Sequence, residues 1–194
     1  RHFDNRMVVA ILSSQGVYAQ DSAPAHRFIG TSGVARDITD RKRAEETIAF
    51  QAFHDLLTEL PNRTLFTDRL QLAVTQAKRR NQRIGVMFLD IDRFKLINDT
   101  YGHQEGDVLL KEFAQRVRGC LRSGDTLARQ GGDEFMVLLV GENAARARFW
   151  SEQILAALSI PFKHDGLALD FGASVGIVLY PDDAQTGDDL MRFA

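Results

Sequence analysis

The apolar positions of this chain fall into short blocks whose spacing alternates between that of strands and that of helices. The first block runs through Met7-Val8-Val9-Ala10-Ile11-Leu12, and residues 1 to about 13 have strand composition. Ser13-Ser14-Gln15-Gly16 is expected to break this run, and Asp21-Ser22-Ala23-Pro24 reads as a loop. A second strand is expected from His26 to Arg36, interrupted by Gly30 and Gly33. Two such strands are too few to fold alone. At Thr39, a candidate N-cap with Asp40 in the first turn, the pattern becomes helical and stays so to about Phe53. Ala44, Ile48 and Ala52 share one narrow face flanked by Arg, Lys and Glu. That stripe fits a charged connecting helix or a short coiled-coil connector that pairs two chains.

Further on the blocks lengthen. Pro61 ends any preceding helix and Asn62 caps the next, which runs from Arg63 to about Arg79 and forms a helix-turn-helix corner. Arg83 to Leu89 reads as a strand buried on both faces, ending in Asp90-Ile91-Asp92. Asp107 to Arg122 keeps Leu109, Leu110, Phe113, Val117, Cys120 and Leu121 at helical spacing, with Gly124 as a breaker. Asp125–Arg129 and Phe135–Val140 are strand-length, and Gly131-Gly132 between them can take the positive φ of a tight hairpin. A second amphipathic helix is expected from Glu142 to Ser159, with Ala145, Phe149, Ile154, Leu155 and Leu158 toward the core, Trp150 as packing and Pro161 closing it. Leu167–Phe171 and Ala173–Tyr180 supply two more strands, and a helix is starting at Asp188. From about residue 54 on, the pattern predicts an α/β (α+β) layer with an antiparallel hairpin in its centre.

Composition narrows the possibilities. The 194 residues are 44% hydrophobic, enough to build a core. A formal net charge of −2 argues against a protein that holds nucleic acid through its phosphates. The single cysteine, Cys120, excludes an internal disulfide and a Cys-based zinc cluster and suits a reducing compartment. No apolar run approaches membrane-spanning length, and the N-terminus is no signal peptide. Both ends read as cuts through a longer protein.

The candidate chemistry is acidic. Asp133 and Glu134 follow the Gly-Gly turn at the mouth of an apolar strand, and alone they would be a solvated hairpin tip. Asp90 closes a buried strand, where a carboxylate is costly unless compensated. A divalent cation compensates it well, and Mg²⁺ takes a few carboxylates and completes its shell with phosphates and water. Asp-x-Asp by itself is a common pattern.

The surrounding residues are far more specific. Phe88-Leu89-Asp90-Ile91-Asp92-Arg93-Phe94-Lys95-Leu96-Ile97-Asn98-Asp99-Thr100-Tyr101-Gly102-His103-Gln104-Glu105-Gly106-Asp107, followed by Arg129-Gln130-Gly131-Gly132-Asp133-Glu134-Phe135, resembles the GGDEF family of diguanylate cyclases. His54-Asp55-Leu56-Leu57-Thr58-Glu59-Leu60-Pro61-Asn62-Arg63 is similar to that family's Asp-x-Leu-Thr-x-Leu-Pro-Asn-Arg motif, with Glu59 where the family usually has glycine. Asp55 and Arg63 are expected to hold this corner together. Gly30-Thr31 and Ala35-Arg36-Asp37-Ile38-Thr39-Asp40-Arg41-Lys42-Arg43-Ala44-Glu45-Glu46 resemble the last strands of a PAS sensory domain and its exit into an output domain.

These resemblances imply a PAS tail over residues 1–38, a helical linker over 39–53 and a GGDEF domain over 54–194 whose last helix and strand lie further on. The fold implied is the palm-like nucleotidyl-cyclase sheet. The activity implied is condensation of two GTP into cyclic di-GMP and two pyrophosphates across a homodimer, with Mg²⁺ or Mn²⁺. Asp90, the Ile91 carbonyl and Asp133 would hold metal, and Asp133 or Glu134 would take the proton. Phe94 and Lys95 would lie by the phosphates, while Asn98 and Asp107 would read the guanine edge. His103, Arg129, Gly131 and Gly132 would line the substrate; taken by itself, His103 would brace its loop through a ring hydrogen bond. Asp92 is assigned a supporting role. Arg122 and Asp125 would form an inhibitory product site for cyclic di-GMP, or else a surface ion pair. A cytoplasmic location is expected, with the longer parent protein either free or membrane-attached. The rival reading is a non-catalytic receptor module for GTP or cyclic di-GMP that regulates an attached domain. A cyclase acting on ATP is disfavoured by Asn98 with Asp107.

Overall fold

The computed structural model describes residues 8–18 and 28–192. The chain divides into two compact units, residues 1–50 and 51–194. In the first, β1 (Ala10–Tyr18) pairs antiparallel with β2 (Phe28–Asp37). Ser13-Ser14-Gln15-Gly16 does not break the strand as expected. These residues pair with Val34, Gly33, Ser32 and Thr31, because the backbone ladder continues whatever the side-chain polarity. Gly33 permits the approach, since a Cβ there would lie 2.6 Å from the Ser13 carbonyl oxygen. The expected loop at Asp21–Pro24, the strand start at His26 and residues 1–7 lie outside the described residues.

Helix α1 (Thr39–Phe53) starts where the sequence placed it, but the capping oxygen belongs to Asp37. Asp37 Oδ1 accepts from the Thr39 amide at 2.8 Å and from its hydroxyl at 2.6 Å, while Thr39 Oγ1 accepts from the Val9 amide. No residue of α1 is buried, so the Ala44–Ile48–Ala52 stripe has no apolar partner among the described residues.

The second unit is a sheet between two helical layers. After the corner comes α2 (Arg63–Arg80), then β3 (Ile84–Ile91), α3 (Phe94–Tyr101), α4 (His103–Cys120), β4 (Thr126–Gly131) and β5 (Glu134–Val140). These are followed by α5 (Ala144–Leu158), the short hairpin β6 (Phe162–His164) and β7 (Leu167–Leu169), β8 (Ala173–Tyr180) and α6 (Gly187–Arg192). The main sheet is antiparallel throughout, in the order β4-β5-β3-β8. The helix-flanked antiparallel sheet expected from the sequence is therefore present. Its hairpin runs from edge to centre, since β4 is an outer strand and β5 and β3 are the inner ones.

Strand alternation sorts the core onto two faces. Met87, Leu89 and Ile91 with Phe135, Val137 and Leu139 pack under α4 and α5 against Leu109, Phe113, Val117, Ile154 and Leu158. Ile84 and Val86 with Met136, Leu138 and Val178 pack under α2 and α6 against Phe66, Leu70 and Leu190. This is why β3 reads as a continuous apolar run. Helix α5 is shorter than expected because Asn143 caps it, accepting from the Arg146 amide at 3.0 Å. Its buried residues are Ala147, Ser151, Ile154 and Leu158, so Ala145, Phe149 and Leu155 turn outward, contrary to expectation.

The corner before α2 keeps a left-handed residue although it has no glycine: Glu59 sits at φ 58. That conformation costs an L-residue about 1–2 kcal/mol. Asn62 caps α2 as expected, accepting from the Leu65 amide at 3.1 Å. Among the described residues, no helix is long and apolar enough to cross a membrane.

Candidate functional site

The antiparallel register delivers carboxylates to one end of the sheet. Asp90, at the end of β3, stands opposite Glu134 on β5 and opposite Ser174 on β8. The β4–β5 connection closes over this end. Gly131 takes φ 152 and Gly132 φ 54, so both glycines use the positive φ that the turn requires. Asp133 completes the turn, and its carbonyl accepts from the Ile91 amide at 3.4 Å. One backbone bond thus sets the turn beside the end of β3.

Four carboxylates meet there, and two of them are already engaged. Asp92 lies just past β3 and accepts from Ser174 Oγ at 2.8 Å, while its amide donates to the Gly172 carbonyl at 3.0 Å. Glu134 accepts from Gln130 Nε2 at 3.1 Å. The carboxylates of Asp90 and Asp133 make no hydrogen bond or ion pair among the described residues. Partial burial, then the charges of Asp133, Glu134 and Asp92, push the Asp90 carboxyl above its ordinary pKa. Crowded carboxylates with this bias favour a cation.

Among the described residues, no three His, Cys, Asp or Glu side chains gather in metal-holding geometry. Two free carboxylates beside a backbone carbonyl nonetheless fit a hard divalent ion, because Mg²⁺ is typically held by one or two carboxylates and takes phosphate oxygens and water for the rest.

Beyond β3 the chain turns through Arg93, at φ 59, into α3, whose first turn has no side-chain cap. Phe94 is buried there and Lys95 is exposed. Asn98, on the same helix, faces the first turn of α4, where Gly106 leaves room for it. A Cβ on Gly106 would come within 1.9 Å of Asn98 Oδ1. That oxygen is buried without a hydrogen-bond partner among the described residues. Asp107, next to Gly106, is exposed. Asn98 and Asp107 therefore flank one helix junction. His103 is the first residue of α4 rather than part of a loop, and it is exposed.

Arg129 is placed differently from expectation. Its guanidinium bonds Asp55 at 3.0 and 3.2 Å and the Gly132 carbonyl at 2.6 and 3.0 Å, leaving its side chain 10% exposed. It braces the hairpin turn against the corner. Burial alone would raise the Asp55 carboxyl, but hydrogen bonds from Thr58 and then from Arg129 hold it below its ordinary pKa. Asp55 is thus partnered with Arg129, and Arg63 takes no part in that pair.

Arg122 and Asp125 lie at the opposite end of β4 from the Gly131-Gly132 turn. The Arg122 amide donates to Asp125 Oδ2 at 3.1 Å. Burial pushes the Asp125 carboxyl above its ordinary pKa, and the amides of Arg122 and Val140 oppose that shift. The Arg122 guanidinium reaches instead to the buried Glu142 at 2.6 Å and lies 4.9 Å from the Trp150 ring centroid. Arg146 shares Glu142 at 3.3 Å. A cleft of about 340 Å³ beside them gathers Arg69, Arg118, Arg122 and Asp125.

Sequence reasoning missed Gln130 and Ser174, which hold two of the four carboxylates, and Glu142 as the partner of Arg122. No local pattern marks them, because each bond depends on strand register or tertiary packing.

The comparisons with known proteins agree with this architecture. The sequence model of the family described as diguanylate cyclase, GGDEF domain, matches residues 52–194. The chain is 44% identical over 153 residues to MucR of Pseudomonas aeruginosa, a bifunctional diguanylate cyclase/cyclic di-GMP phosphodiesterase, covering 79% of this chain and 22% of MucR. It spans about a fifth to a third of the length of such curated relatives. The crystal structure of the GGDEF domain of YfiN (TpbB) from P. aeruginosa superposes with a TM-score of 0.69 at 42% identity, covering 70% of this chain and 85% of that one. The coiled coil and GGDEF domain of DgcB from Caulobacter crescentus, solved with c-di-GMP, gives a TM-score of 0.69 at 30% identity, covering 79% and 82%.

Proposed function

The chain belongs to the GGDEF family of diguanylate cyclases, and we propose that it condenses two GTP molecules into cyclic di-GMP across a homodimer. The observation that carries this reading is the pair of unpartnered carboxylates, Asp90 and Asp133, brought together at the end of β3 by the Ile91–Asp133 backbone bond. With the Ile91 carbonyl they would hold a divalent cation, Mg²⁺ or Mn²⁺. Such an ion lowers the pKa of a hydroxyl and neutralises phosphate charge.

The chain's own residues do the rest. Asn98 and Asp107 bind the guanine edge, and the unpartnered Asn98 Oδ1 is an acceptor waiting for a donor. Lys95 and the first amides of α3 face the phosphates, and the glycines let the backbone come close. The 3′-oxygen of one GTP attacks the α-phosphorus of the other, and the bond from that phosphorus to the leaving pyrophosphate breaks. Glu134, held by Gln130, accepts the hydroxyl proton. The second bond forms the same way with the roles exchanged, giving one cyclic di-GMP and two pyrophosphates. Each protomer contributes half of the reacting atoms, so dimers are required.

The ribbon β1–β2 and its exit into α1 through Asp37 and Thr39 support reading residues 1–38 as the tail of a PAS domain and 39–53 as a connector. Cyclic di-GMP binding near Arg122 and Asp125 would supply product feedback. The test is product analysis after incubation with GTP or ATP and Mg²⁺. Cyclic di-GMP from GTP alone is expected. Binding of GTP or cyclic di-GMP without turnover would make the chain a receptor module.

A further inference from the structure

On the α2 and α6 side of the sheet, a cleft of about 400 Å³ opens beside Asp90. Asp90, Glu134 and Ser174 share this face because they stand directly opposite one another in the register. Phe88, Met136 and Met191 give it an apolar lining. One cationic side chain contributes to that lining, Arg63. It comes from a part of the chain that the carboxylate site does not otherwise use.

Asp55 and Arg63 were expected to hold the corner together; Asp55 does so through Thr58 and Arg129. The Arg63 guanidinium makes no hydrogen bond or ion pair among the described residues. Its backbone is nonetheless firmly set. Arg63 is the first residue of α2, directly after the capping Asn62, whose amide donates to the Phe53 carbonyl at 2.9 Å and whose side chain reaches the Ala52 carbonyl at 3.1 Å. Two residues earlier, the Pro61 carbonyl accepts from the Arg129 amide at 3.0 Å. The start of α2 is therefore stitched to β4, the strand that leads into the Gly-Gly turn. A side chain anchored in this way sits at a fixed offset from Asp133 and Glu134 while its head remains available.

The charge balance gives that head a task. Even with a divalent ion on its phosphates, a nucleoside triphosphate brings excess negative charge to a site that already holds Asp90, Asp133 and Glu134. Arg93 and Lys95 stand at the start of α3, whose Phe94 and Ile97 pack into the opposite core layer. Two clefts meet at Asp90, one beside α3 that includes Arg93 and one beside α2 that includes Arg63. With the first phosphate at the end of β3 by Lys95, a polyphosphate that extends into the second cleft meets Arg63 with its β- and γ-phosphates. The planar fork of arginine suits two phosphate oxygens at once.

We propose that Arg63 is a phosphate-binding residue that holds the β- and γ-phosphates, the pyrophosphate that leaves, from the α2 side of the sheet. This rests on the GTP reading above and extends it to a residue outside the carboxylate cluster.

Calorimetric titration with GTP and with GMP, both in Mg²⁺, separates the possibilities. Arg63→Gln should weaken GTP about tenfold or more, the scale of one lost charge-assisted contact, and leave GMP affinity unchanged. Arg63→Lys should recover part of the loss, keeping the charge without the fork. Thermal denaturation checks that each variant folds, and the GTP-to-GMP ratio for Arg63→Lys serves if Arg63→Gln does not. Equal losses for both nucleotides, or GTP affinity unchanged, would overturn the proposal and leave the cyclase reading standing. An unsubstituted protein that binds neither nucleotide would overturn the cyclase reading and this proposal with it.

Discussion

Arg129 and Asp55, separated by 74 positions in sequence, form the clasp that fixes the hairpin turn to the start of the domain. The same guanidinium holds the Gly132 carbonyl, so the turn that carries Asp133 is positioned by a residue that itself faces inward. The arginine of the Arg-x-Gly-Gly-Asp-Glu-Phe stretch therefore acts through the backbone of the turn.

Breaking the clasp should cost stability in a pH-dependent way. Asp55→Ala leaves a mostly buried guanidinium without its partner, which is expected to cost about 2–3 kcal/mol near neutral pH. The folded-state pKa of Asp55 is depressed, so its contribution is complete above the ordinary carboxylate value of about 4 and is lost as pH falls through the lower folded value. Denaturant melts of both proteins from neutral to acid pH should show the gap closing only at the acid end. A gap independent of pH would mean that the loss is one of packing.

Asp133→Ala should abolish cyclic di-GMP formation and leave the fold intact, because the Ile91 amide bonds to the backbone of residue 133 and not to its side chain. Product chromatography and circular dichroism on the same sample decide this. Full turnover by the folded variant would remove Asp133 from the metal site.

The Arg122 guanidinium is held by Glu142 through Nη1 and lies by Trp150, and a ligand in the neighbouring cleft competes with Glu142 for its charge. Arg122→Ala should relieve inhibition by added cyclic di-GMP. Glu142→Gln, which removes the competing charge and keeps the shape, should deepen that inhibition. Inhibition constants unchanged in both variants would make the Arg122–Glu142 pair purely structural.

Gly106→Ala drives a methyl group into Asn98 Oδ1 and forces that side chain from its place. The preference for GTP over ATP should narrow, with a packing cost of about 1–3 kcal/mol. Competitive binding of the two nucleotides measures it. An unchanged preference in a folded variant would show that Asn98 does not read the base.

Much of this protein was legible in one dimension. The continuous apolar run from Ile84 to Leu89 announced a strand buried on both faces, and Asn62 and Pro61 marked the start of α2, because burial periodicity and capping act over a few residues. The Gly131-Gly132 turn was equally local, set by which backbone conformations a residue without Cβ can take. Ser13 to Gly16 misled for the complementary reason: polar side chains say little about a ladder made by the backbone. The outward turn of Phe149 and Leu155 escaped because a helix with apolar residues on several sides does not declare which side meets the sheet.

The site divides along the same line. The sequence by itself determined which carboxylates exist and that they sit at strand ends and turns, and its motifs placed the chain in its family. Only the tertiary structure decided which of them are free. Ser174 reaches Asp92 across 82 positions and Arg129 takes Asp55 across 74, while the Arg63 guanidinium beside the cleft has no partner among the described residues. Such pairings depend on strand register and on which side chains the fold brings within reach of one another. Both are set by the packing of the whole domain, so no window of neighbouring residues contains them.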